Sequence, residues 1–296
     1  MENGNAFRRF RCFDSRCDFC RPRGWFAVRR TQTEGEYNQP LQFMRLGQQI
    51  SRRSFLGVAA AAAVTRALVR ASGQRRPNVP SLLDHLIVGC SELDRGVDFV
   101  ERHTGVRAAF GGVHPGRGTR NALLSLGERR YLELMAPDPA QNVAPGASVP
   151  GSRPSPLAKL RELKEPRIIG WAAHRDDLEQ FAAQLREAKI EFVGPRAGSR
   201  QRPDGKVLHW KTLALKEDHN GLLPFFIEWG SDSVHPSVDA PKGCTLKRFV
   251  AVTPEQEDLL HAASRVQLDL DVGEISNEPM LKAAIFGPKG ELEVTS

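Results

Sequence analysis

The sequence predicts an α+β protein in which one order of elements, β-α-β-β-β, is used twice in succession. Two observations carry this prediction. Short apolar runs stopped by glycine or proline alternate with two stretches whose apolar residues recur at helical spacing. The same order then resumes after a Pro/Gly/Ser-rich segment, which marks a repeated unit rather than a chance succession.

The first unit opens with SLLDHLIVG (residues 81–89), a compact apolar run ended by glycine and therefore a strand. SELDRGVDFVERHTG (91–105) reads as a helix, with Ser91 as the expected N-cap, Leu93, Val97 and Val100 on one face, and Gly105 as terminator. RAAFGG, RNALLSLG and RRYLELMAP are three strands divided by glycine turns, so this module covers about residues 82–137. After APGASVPGSRPSP (144–156), RIIGWAA is a strand and DDLEQFAAQLREAK an amphipathic helix. IEFVGP, KVLHWKTLAL and LPFFIEWG are strands that complete a second module over about residues 167–230. A weaker third copy over 244–296, from TLKRFVAVT through PEQEDLLHAAS to KAAIFGPKGELEV, is expected to complete the domain as a degenerate βαβ-type module.

Of the 296 residues 40% are apolar, enough for a substantial core, and the formal charge is +7. That charge is unevenly placed. Residues 1–71 hold 13 basic and 5 acidic side chains, whereas the rest of the chain holds 29 and 30. The folded part therefore offers no basic excess, and a nucleic-acid partner is not expected. Cys12, Cys17 and Cys20 crowd together as C-x4-C-x2-C with no fourth ligand beside them, and Cys90 and Cys244 stand far apart. Neither group reads as a metal knuckle or a disulfide framework.

From Met44 the chain has the three parts of a signal peptide: Arg45, Arg52 and Arg53, then an apolar run over 55–64, then Val69-Arg70-Ala71 with a cut after Ala71. The run is too short for a bilayer, which needs about 20 apolar residues. No stable membrane anchor is expected. SRRSFL (51–56) resembles the twin-arginine translocation motif, S/T-R-R-x-F-L-K, with Gly57 in place of the lysine. The resemblance implies residues 44–71 as a twin-arginine (Tat) signal peptide, the translocation machinery as a partner, and a periplasmic or extracytoplasmic location. Residues 1–43 show no periodicity and read as an over-extended or disordered start ahead of Met44.

The repeat, opened by LDHLIVG and closed by YLEL, resembles the vicinal-oxygen-chelate superfamily, the fold of glyoxalases, bleomycin-resistance proteins and extradiol dioxygenases. HPGRGTRNALLSLGERRYLELMAP together with LPFFIEWG resembles its glyoxalase-like subgroup. The resemblance implies a glyoxalase-like domain over 78–236 whose tandem βαβββ modules form a cupped mixed sheet. It also implies metal ligands from the first and last strands of each module. By position these are His85, Glu133 and Glu228, with Gly170 at the fourth place, where a side-chain ligand is missing. Three such ligands suit a divalent metal, with zinc, iron, manganese and nickel indistinguishable. Without metal, Glu133 and Glu228 remain candidate acid–base groups. Strand alternation requires Glu133 to share a face with Tyr131 and Met135 while Leu132 and Leu134 point away.

GGVHPGRGTRN (111–121) does not join a strand to a helix, so its glycines are not a phosphate cradle. It reads as a hairpin beside the cup, with His114, Thr119 and Asn121 able to bind a ligand and Arg117 and Arg120 either facing an anion or solvated. Trp171 and Phe226, with Trp210, Phe225 and Trp229, supply aromatic surface either to a core or to an apolar pocket. The expectation is an exported glyoxalase-like enzyme acting on a small oxygenated molecule, with pairing into a homodimer as a further option. A non-catalytic protein of the same fold that sequesters a small molecule is the alternative.

Overall fold

The computed structural model describes residues 78–141 and 156–296. The expectations for residues 1–43, for the signal at 44–71 and for nearly all of the loop at 144–156 lie outside the described residues.

Strands β1 (Leu83–Gly89), β2 (Ala109–His114), β3 (Thr119–Ser125) and β4 (Tyr131–Pro137), with helix α1 (Leu93–Thr104) after β1, form the first module. A short helix α2 (Leu157–Glu162) precedes the second, which consists of β5 (Arg167–His174), α3 (Leu178–Glu187), β6 (Phe192–Gln201), β7 (Val207–Leu215) and β8 (Phe225–Trp229). All eight strands lie in one mixed sheet, ordered β2-β3-β4-β1-β5-β8-β7-β6. Each module pairs its first strand parallel to its last, β1 with β4 and β5 with β8, and the two modules meet where β1 runs antiparallel to β5. The outermost strands, β2 and β6, nevertheless contact each other. The sheet is therefore curled into a cup whose two rims meet.

Alternation sorts the side chains. Leu86, Val88, Leu132, Leu134, Ala122 and Leu124 point to the convex side, where they pack with Val97 and Val100 of α1 and Phe181 and Leu185 of α3. Gly105 ends α1 with φ 79 and returns its N–H to the Glu101 carbonyl, the left-handed close that glycine accepts most readily. The start differs from expectation by one residue. Glu92, in extended conformation, is the N-cap, and no side chain caps the helix there.

The third module is β9 (Thr245–Val252), α5 (Gln256–Arg265), β10 (Met280–Gly287) and β11 (Gly290–Thr295), after a single-turn helix α4 (Pro236–Asp239). Its three strands form a separate antiparallel sheet, β11-β10-β9, so the element order is βαββ and a tight hairpin joins the last two strands. Helix α1 contacts this sheet as well as β3 and β4, and Phe249 packs edge-on against Trp171. The third module thus closes the convex core and leaves the cup's interior to other side chains. Among the described residues no helix is long and apolar enough to cross a bilayer.

Candidate active site

A bulge in β1 builds the centre of the cup. The β1–β5 ladder pairs Leu83 with Ala173 and His85 with Ala172, which skips Asp84 and turns the side chains of consecutive residues toward each other. Asp84 is 1% and His85 3% exposed. Their side chains join through His85 Nδ1 and Asp84 Oδ1 at 2.6 Å. The other Asp84 oxygen accepts from Trp229 Nε1 at 3.0 Å and from His235 Nε2 at 3.2 Å. Burial alone would raise the Asp84 pKa. Hydrogen bonds from His235 and His85, with their charge, outweigh it and hold the carboxyl well below the usual carboxylate range. A carboxylate only accepts, so His85 Nδ1 carries the proton in that bond and Nε2 is directed elsewhere.

Nε2 faces Glu133 Oε2 at 3.7 Å. Glu133 stands on β4 across from Ile87, sharing its face with Tyr131 as alternation demands, and Tyr131 stacks on the His85 ring with centroids 4.5 Å apart. Asn121 Nδ2 donates to Glu133 Oε1 at 2.7 Å, and His114 Nε2 lies 3.6 Å from the same oxygen. His114 Nδ1 contacts Thr119 Oγ1 at 2.9 Å, closing the β2–β3 hairpin. Burial lowers the His114 pKa to about 4, Arg200 and Arg117 push the same way and Glu133 opposes them, so the ring is neutral at neutral pH. Burial, reinforced by the charges of Asp84 and Glu133, pushes the Tyr131 phenol well above its ordinary range and keeps it a hydrogen-bond donor.

Of the residues expected from sequence, His85, Glu133, His114, Thr119 and Asn121 are brought together. Glu228 is not. Its Oε2 accepts from the Leu178 N–H at 2.7 Å, at the N-terminus of α3, and its Oε1 faces Lys211 Nζ at 3.5 Å. The reason is register: Ile87 lies across from Glu133, while Ala172, its counterpart in β5, lies across from Phe225. Phe225 therefore holds the place that Glu133 holds in the first module, and Glu228, three residues on, has the opposite parity. Trp171 and Phe226 are likewise core residues. Trp171 donates Nε1 to the Leu222 carbonyl, and Phe226 packs on Phe181. Aromatic residues on the cup face include Tyr131, Phe225, whose ring lies against His85, and Trp229, with Trp210 across from Trp229 in the β7–β8 ladder.

A divalent metal is not matched by the residues present. Gly170 and Phe225 take the two second-module positions, and the Asn121 amide N–H2 contacts both the Glu133 carboxylate and His114 Nε2, presenting N–H donors where an ion would need lone pairs. Among the described residues no group of three His, Cys, Asp and Glu side chains is arranged to hold an ion. Beside Gly170 there is room: a Cβ there would meet no atom within 4 Å.

Sequence reasoning missed Asp84, His235 and Arg200. An aspartate inside LDHLIVG looks like an edge residue until the bulge is known. His235 arrives from the segment after β8, beyond the repeat. Arg200 lies on a part of β6 that extends beyond Pro195, where the expected strand stopped; a bulge between Val193 and Arg196 carries the proline outside the ladder.

The eight-stranded curled sheet of two βαβββ modules defines the vicinal-oxygen-chelate fold. The chain belongs to the glyoxalase-like domain family, whose sequence model matches residues 83–266. No curated protein matches it significantly. Among solved structures it is similar to a hypothetical protein from Staphylococcus aureus, at 18% identity and TM-score 0.53 over 72% of this chain and 84% of that one. A methylmalonyl-CoA epimerase from Mycobacterium tuberculosis matches at 20% identity and TM-score 0.35, over 50% of this chain and 85% of that one.

Proposed function

We propose that the chain is an exported glyoxalase-like enzyme that moves a proton on a small oxygenated molecule, with His85 and Glu133 as its acid–base pair. The observation that carries this reading is the buried alignment of Asp84, His85 and Glu133, at 2.6 Å and 3.7 Å. Asp84 orients the imidazole by accepting from Nδ1, while Nε2 and the Glu133 carboxylate converge on one place in the cup. Of the two, the unprotonated group takes a proton from carbon next to a carbonyl. The C–H pair becomes the enolate double bond as the carbonyl oxygen takes up the charge, and the protonated group returns a proton to carbon or oxygen. No atom is gained or lost, so the outcome is isomerisation or epimerisation. Tyr131, kept neutral, is a donor for the enolate oxygen, and the room beside Gly170 is the way in.

The test uses the full chain in deuterated buffer with a panel of small hydroxyketones and keto acids, followed by proton NMR. Loss of an α-proton signal is expected, slowed by about 100-fold or more in His85→Gln and Glu133→Gln. Tyr131, Phe225 and Trp229 on the cup face favour sequestration of an aromatic compound as the second reading. Tight aromatic binding without exchange would replace the first reading with it. Export is supported by SRRSFL, and fractionation of cells expressing Arg52→Lys/Arg53→Lys should leave the protein inside.

A further inference from the structure

Arg200 is a buried cation without an adequate partner. It is 5% exposed, and its Nη1 makes no hydrogen bond. Among the described residues no carboxylate lies within ion-pair distance of it, although its charge acts on Glu133, Tyr131 and His114. Burying a charge without its partner is costly, so a guanidinium is retained in such a place when something else supplies the anion. Its location is defined by Gly112, the residue across from Asn121 in the β2–β3 ladder. A Cβ at Gly112 would stand 2.9 Å from Arg200 Nη1 and 2.8 Å from the Gln201 carbonyl, and its φ of +141 is one that side-chain residues rarely adopt. Glycine there lets β6 approach β2 and brings the guanidinium over the rim toward the Asn121 and Glu133 side of the cup.

We propose that Arg200 is a binding residue for the carboxylate of the ligand, so that the cup takes a small carboxylic acid with a planar apolar body. The inference rests on the cup being the binding site, and adds a substrate class to it. The ligand's charge pairs with the Nη1 N–H. Its body lies along Tyr131, Phe225 and Trp229, near the open space at Gly170. A guanidinium suits a carboxylate because its planar N–H groups match the two oxygens.

Benzoate, its uncharged twin benzamide and inorganic phosphate are titrated into the full chain, with affinity read by calorimetry and by the rise in melting temperature. Benzoate is expected to bind at least about tenfold more tightly than benzamide, which is the scale of one charge-assisted hydrogen bond. Arg200→Gln should abolish that preference, and Arg200→Lys should keep part of it, with circular dichroism confirming the fold of each. If Arg200→Gln does not fold, the benzoate-to-benzamide ratio in wild type and in Arg200→Lys decides. Equal binding of benzoate and benzamide, or an unchanged preference in Arg200→Gln, overturns the inference. Binding of phosphate but not benzoate overturns the carboxylate assignment. Because these measurements need no turnover, Arg200-dependent benzoate binding by a protein inert toward every exchange substrate upholds this inference while removing the proton-transfer reading. Exchange that ignores Arg200 does the reverse.

Discussion

Replacing Asp84 by asparagine tests the centre of the site through stability as well as chemistry. The carboxylate is almost wholly buried and holds three side-chain donors, from His85, Trp229 and His235. Asparagine keeps the shape but offers one acceptor oxygen, and its N–H2 must face one of those donors. Removing one partner of a buried charged network costs about 3–5 kcal/mol. For a domain of this size each kcal/mol shifts the melting temperature by about 2–4 °C, so a fall of about 6–20 °C is expected at pH 7. The sign of the pH dependence follows from the direction of the pKa shift. A carboxyl whose pKa is lower folded than unfolded binds its proton more weakly in the folded state. Its contribution is therefore complete above its unfolded value of 3.8 and is lost as pH falls below that toward the folded value. Wild type should lose stability over this acid range and Asp84→Asn should lack that portion of the loss, as read by thermal and urea unfolding from pH 7 to pH 2. An Asp84→Asn protein within about 1 kcal/mol of wild type at pH 7, with the same acid profile, would refute the role assigned to the carboxylate.

Three further outcomes follow. Glu228→Gln should cost about 0.5–1.5 kcal/mol through the lost contact at the start of α3 while proton exchange stays at the wild-type rate; a collapse of exchange in a folded protein would return Glu228 to the site. Gly170→Leu should fold with a melting temperature within a few degrees of wild type, because a Cβ there meets nothing within 4 Å, yet should lose both exchange and benzoate binding by filling the cup; retention of both would move the ligand elsewhere. The Cys90 thiol, pushed up to about 12 by burial, should resist iodoacetamide at pH 8 in the native protein and react on unfolding, and mass spectrometry showing native labelling at Cys90 would contradict the packing between it and Gly96.

The repeat was legible because its physical basis is local. Apolar runs such as LDHLIVG and helical spacing such as Leu93, Val97 and Val100 name the buried faces, and Gly105 ends its helix wherever the helix is placed. Alternation was enough to set Glu133 and Tyr131 on one side of β4 and Leu132 and Leu134 on the other. Spacing also brought His114, Thr119 and Asn121 into one hairpin.

What the chain by itself did not determine was register. Side chains alternate with a period of two, so an odd error in the correspondence between β4 and β8 exchanges the cup for the convex core. That is why Glu228 was expected in the site and is found outside it, while Phe225 and Trp229 line it; for Trp171 and Phe226, left open between core and pocket, strand pairing decided for the core. The bulge at Asp84 and the bulge around Pro195 are products of strand pairing, and each delivers a charged residue that no local pattern announces. Arg200 meets the first module only because the curled sheet brings β6 against β2. Sequence determined the modules and half of the acid–base cluster; the curl of the sheet and its two bulges decided which charges that cluster contains.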